Sequence, residues 1–145
     1  MVFIANREKN FEKYLLNHFG IVLPEGICLF YADGVRIGNR EIQKSPIYGE
    51  RGYAACDEGF NPTNALIQNF GHFATKNFIE LKDERTAQGF AFGKGIRIDL
   101  GQKNMHVIIK YAGYTLGLGH YDSKEKKIKN KIPEKRRRNI VNKLV

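Results

Sequence analysis

Met105-His106-Val107-Ile108-Ile109-Lys110-Tyr111-Ala112-Gly113-Tyr114-Thr115-Leu116-Gly117-Leu118-Gly119-His120 is the stretch from which the fold is read. A Val/Ile-rich run enters Ala112-Gly113 and an apolar run leaves it. The spacing predicts two antiparallel strands around a tight turn, the first of them central and buried. Downstream, Lys127-Ile128-Lys129-Asn130-Lys131-Ile132 alternates polar with apolar, which predicts a half-buried strand stopped by Pro133. Upstream, Ile96 to Leu100 has period two and is reached through Phe90-Ala91-Phe92 and Gly93-Lys94-Gly95. Asn77 to Leu81 reads as one more strand. Asp83 suits the N-cap of a short helix over Glu84 to Gln88, closed by Gly89. Short strands, glycine turns and two inserted helices predict an α+β fold, a small mixed β-barrel.

Gly52 to Cys56 reads as a strand. Asn61 is the expected N-cap of the next helix, with Pro62 at its first position and Gly71 at its end. Nearer the start, Phe11, Tyr14, Leu15, His18 and Phe19 recur at helical spacing before Gly20. Ile27 to Tyr31 and Val35 to Ile37 flank Ala32-Asp33-Gly34, a hairpin signal. These elements form an expected α/β unit over residues 1–49. Breakers at Gly38-Asn39, Ser45-Pro46 and Gly49 separate it from a second domain over 50–145.

The chain has 145 residues, 42% of them hydrophobic, with ten Phe and seven Tyr, a composition that favours packed globular structure over disorder. No segment approaches the ~18 consecutive apolar residues of a membrane span. The opening residues become charged too early for a secretory signal, so the expected compartment is the cytoplasm. Cys28 sits in an apolar run and reads as a small core residue. Cys56 adjoins Asp57 and Glu58, whose charge opposes thiolate formation. His18, His72, His106 and His120 show no metal-ligand spacing. The expectation is a protein without catalytic residues, metal or cofactor.

Charge is distributed unevenly. Residues 121–145 hold ten Lys and Arg against three acids, a net of +7 within the chain's +9. A concentrated cationic segment favours a polyanionic partner, because binding releases counterions condensed on phosphates. A solvated tail is the competing reading.

The Leu116-Gly117-Leu118-Gly119 turn-and-strand, followed by Lys129-Asn130-Lys131-Ile132-Pro133 and a basic run, resembles the C-terminal PUA-like domain of the RNA 5-methylcytosine methyltransferases that modify rRNA and tRNA. Gly59 to Leu66 is similar to that domain's helix entry. Leu81 to Ile96 is similar to its helix and aromatic-Gly-basic-Gly turn. The resemblance covers about residues 50–138. It implies a PUA-like barrel and structured RNA, rRNA or tRNA, as partner. The chain lacks a glycine-rich strand–loop–helix for S-adenosylmethionine, and neither cysteine follows a proline as the family's functional cysteines do. Methyltransferase activity is therefore not carried over.

The expected RNA contacts are Lys94, Lys110, Tyr111, Tyr114, Lys127, Lys129, Asn130, Lys131, Lys135, Arg136, Arg137 and Arg138. Lysines and the Asn amide donate to phosphate, ribose or base edges, arginines bind phosphate bidentately, and tyrosines stack on bases. Phe92 is a further candidate stacking face, although core packing is the favoured reading for it. The leading function is non-catalytic RNA binding in rRNA or tRNA modification, maturation or ribosome biogenesis. The alternative is a protein-interaction adaptor, or a trans-acting subunit of an RNA methyltransferase or ribosome-assembly complex.

Overall fold

A computed structural model describes residues 6–39 and 52–137. The chain forms two compact units, Met1–Lys76 and Asn77–Val145. The expected junction at 49/50 lies outside the described residues. The units divide instead after Lys76.

In the first unit, α1 (Arg7–Tyr14) continues as a π-helical turn over Leu15–Phe19. Gly20 ends it in the left-handed conformation, φ 68°. Phe11, Leu15 and Phe19 recur at four-residue spacing and are buried. Strands β1 (Ile27–Tyr31) and β2 (Val35–Asn39) form the expected hairpin, with Tyr31 opposite Val35. Asp33 at the turn has φ 58°, which short polar residues tolerate best. Strand β3 (Tyr53–Ala54) adds to the free edge of β2.

Helix α2 (Asn64–Phe70) starts later than the sequence suggests. Its N-cap is Thr63, whose hydroxyl accepts from the Leu66 N–H at 3.2 Å. Asn61 does not cap it, because Asp57 already holds Asn61. The Asn61 N–H donates to Asp57 Oδ1 at 3.0 Å and its side-chain amide to Oδ2 at 3.1 Å. Pro62 accordingly lies in an isolated bridge with Cys56 rather than in the first turn. Gly71 is right-handed, φ −62°, and passes the chain into a 3-10 turn, Gly71–Phe73.

The second unit contains β4 (Phe78–Leu81), α3 (Glu84–Ala91), β5 (Ile96–Arg97), β6 (Met105–Tyr111), β7 (Tyr114–Asp122) and β8 (Lys127–Asn130). The strands form one curled, half-barrel sheet in the order β4-β6-β7-β8-β5. Strand β4 runs parallel to β6, and every other pair is antiparallel. With the helices of both units, the architecture is mixed α+β.

Asp83 caps α3 as expected, accepting from the Thr86 N–H at 2.7 Å. Gly89 does not end the helix. Ala87, Phe90 and Ala91 face a common core, and burying the last two requires one more turn. Strand β5 is two residues long rather than five, although the Ile98 N–H still donates to the Lys126 carbonyl at 3.1 Å. The α3 residues pack on Val107, Ile109, Leu116, Tyr121 and Ile128. A register shift between Ile109 and Lys110 changes the phase of β7. That bulge lets Leu116 join Tyr121 in the core despite their odd spacing.

Candidate nucleic-acid interface

The basic segment enters the sheet through β8 (Lys127–Asn130). Strand β8 lies between β7 and β5, with Ile128 opposite both Tyr121 and Ile96. Ile128 and Ile132 are buried at 0% and 1% exposure, so the polar–apolar alternation becomes an inside and an outside. Burying side chains of this size stabilises by about 1.5–3 kcal/mol each, enough to hold a short cationic strand in place.

Asn130 fastens the strand to the end of α3. Its Nδ2 donates to the Phe90 carbonyl at 2.6 Å and to the Lys94 carbonyl at 3.1 Å. Its Oδ1 accepts from the Ile132 N–H at 2.8 Å. Both amide hydrogens are thereby committed. Asn130, offered to RNA by the sequence reading, turns inward and acts as a clamp. Its two partners are the carbonyl of Phe90, in the last turn of α3, and that of Lys94, in the turn that follows.

Beyond Pro133 the chain turns helical over 134–137, and the Arg136 N–H donates to the Pro133 carbonyl at 2.9 Å. Arg137 folds back, Nε donating to the Ile132 carbonyl at 3.1 Å. Its guanidinium lies against Gly93, within 2.5–2.9 Å of where a Cβ would stand. Gly93 has φ +107°, so both space and backbone conformation select glycine there. Arg138 lies outside the described residues.

The remaining expected contacts fall into groups. Lys127 pairs with Glu125 at 3.2 Å and Lys129 with Asp122 at 3.3 Å. The first pair is solvent-accessible at both ends, where such contacts contribute ~0–1 kcal/mol and yield readily to a phosphate, whereas Asp122 in the second is partly buried. Among the described residues, Lys94, Lys131, Lys135, Arg136 and Arg137 have no carboxylate in ion-pair range. Lys110 stands apart, its ammonium 4.2 Å from the centre of the Phe78 ring. Lys110 lies four residues along β6 from His106, which pairs across to His120 and thence to Lys129. That spacing separates Lys110 from the β8 cations by about 13 Å along the strand direction. Tyr111 packs partly against the core, whereas Tyr114 is exposed.

Three features escape the sequence reading. Phe92, for which core packing is the favoured reading, is instead 62% exposed. It follows Phe90 and Ala91 by steps of about 100°, which carry it off the buried stripe of α3. Arg97 lies opposite Lys127 and extends the basic strand onto β5. His106 and His120 are cross-strand partners with ring centres 4.7 Å apart. Burial chiefly, then Lys131, pushes the His120 pKa below its ordinary value, with Lys129 adding and Asp122 opposing. The depression reports burial first, with Lys131 and Lys129 as a smaller contribution.

In the first unit, burial raises the Cys56 pKa, Arg7 opposes the rise and Asp57 adds to it. A thiol held protonated is a poor nucleophile. Among the described residues no group of three or more His, Cys, Asp or Glu is arranged to hold a metal ion. No described helix is long and apolar enough to cross a membrane. No protein-family model matches the chain, and no curated protein matches it.

Proposed function

We propose that this protein is a non-catalytic RNA-binding protein that acts in rRNA or tRNA modification or maturation, on a PUA-like barrel formed by its second unit. The observation that carries the reading is the clamped cationic segment. Ile128, Asn130 and Ile132 fix residues 127–137 on the sheet, and the intervening Lys129 and Lys131 are exposed. Cations held in a frame lose less conformational entropy on meeting phosphate than cations on a free tail. The resemblance of the Leu-Gly-x-Gly and Lys-Asn-x-x-Pro segments to RNA-methyltransferase accessory domains points to structured rRNA or tRNA. The test is titration of purified protein into labelled tRNA and rRNA fragments by gel shift, with heparin as competitor. Saturable retention is expected. Equal binding to any polyanion, or none at low salt, overturns the reading.

A further inference from the structure

We propose that Phe92 is a stacking platform for an unpaired RNA base, with the flanking phosphates held by Lys94, Arg136 and Arg137. This rests on the RNA-binding reading above and adds the class of RNA element recognised: a loop or bulge rather than a continuous duplex.

The turn that carries Phe92 is fixed at every residue. The Phe92 N–H donates to the Gln88 carbonyl at 3.0 Å, Gly93 to Phe90 at 3.0 Å and Lys94 to Gly89 at 2.9 Å. Asn130 bonds the carbonyls at both ends, and the Arg137 guanidinium closes on Gly93 between them. A large aromatic ring is thus displayed from a rigid turn at 62% exposure, near Lys94 and Arg137, which have no carboxylate in ion-pair range among the described residues. One apolar ring is too small a patch to dock a protein surface, and cations around it disfavour an apolar partner. A polyanion with flat apolar faces matches both features. In duplex RNA those faces are hidden within the stack, while loops and bulges splay them outward. Arg137 spends one of five guanidinium donors on Ile132 and retains others for phosphate.

The chain contains no Trp, so Phe92→Trp introduces a single indole emitter at the site. The probes are an RNA hairpin with an unpaired uridine loop and a blunt RNA duplex with the same number of phosphates. The hairpin is expected to quench the indole saturably and the duplex to leave it nearly unchanged. Phe92→Ala is expected to lower hairpin affinity relative to duplex affinity by about 5- to 150-fold, the range for loss of one stacked base. Circular dichroism confirms that both variants fold. If the hairpin binds without quenching, or Phe92→Ala leaves the hairpin-to-duplex ratio unchanged, the stacking site is wrong and RNA binding stands. If the unaltered protein binds neither probe, both readings fall.

Discussion

Replacing Asn130 by Ala removes three hydrogen bonds at once, leaving the Phe90 carbonyl with the Gly93 N–H alone and taking the side-chain donor from the Lys94 carbonyl. The expected loss is about 1–3 kcal/mol, read from urea denaturation. Asn130→Asp should cost more, because a carboxylate oxygen then faces the Phe90 carbonyl where the amide donated. Equal stability of the two variants would show that the clamp is not made. Gly119 offers a second residue-level test. A Cβ there enters the Ile128 methyl and approaches Val107 Cγ2 at 3.5 Å. Gly119→Ala is expected to destabilise by about 1–3 kcal/mol through overpacking, visible as a lower melting temperature. His120 sets a pH dependence. Its folded pKa lies below the unfolded value of 6.5, so the unfolded chain takes up protons first as pH falls. Stability contributed by neutral His120 is present above pH 6.5 and is lost as pH drops through 6.5 toward the folded value. Phosphate bound near Lys129 and Lys131 offsets their repulsion, so RNA affinity should rise over the same interval. His120→Gln should flatten both slopes; unchanged slopes would remove His120 from the account.

At the scale of elements, β8 separates anchoring from contact. Ile128→Ala should cost about 2–5 kcal/mol, since it opens a cavity beneath Ile96 and Tyr121. The triple change Lys131→Ala, Lys135→Ala and Arg136→Ala should leave the melting temperature nearly unmoved, surface changes staying within ~0.5 kcal/mol each. It should nevertheless weaken RNA binding by at least tenfold in low salt. A harmless Ile128→Ala would mean that the cations do not depend on the sheet. The β6–β7 hairpin was legible because apolar runs flank the Ala112-Gly113 turn, and β8 because its period-two pattern translates directly into one buried face. The α3 end was not. Gly89 looks like a stop until Ala87, Phe90 and Ala91 are seen to share one core, and that tertiary burial outweighs roughly 1 kcal/mol of glycine cost. The α2 start was misplaced for a related reason: Asn61 and Thr63 both suit a cap, and only the fold shows that Asp57 has taken the former. The site was half legible. Cation-rich composition and alternation identify Lys129 and Lys131, whereas Asn130 turning inward depends on a contact forty residues away and Phe92 turning outward on where α3 ends.

For the whole molecule, the relevant quantity is a net charge of +9, of which +7 falls within residues 121–145. If about six phosphates are neutralised, the logarithm of the binding constant should fall against the logarithm of salt with a slope of roughly −4 to −5. Gel shifts or fluorescence titrations over a salt series measure it, and a slope near zero would exclude phosphate contact as the source of affinity. The placing of β8 in the interior of the sheet has one more consequence, for proteolysis. Trypsin cleaves after Lys and Arg, and residues 124–137 supply such sites in abundance. A protease must first draw its substrate into an extended strand whose backbone is free to pair with the enzyme. Around Ile128 that pairing is already taken on both sides, by β7 and by β5. The bonds after Lys127 and Lys129, within β8, should therefore resist digestion until the second unit unfolds, and bound RNA should lengthen their survival further.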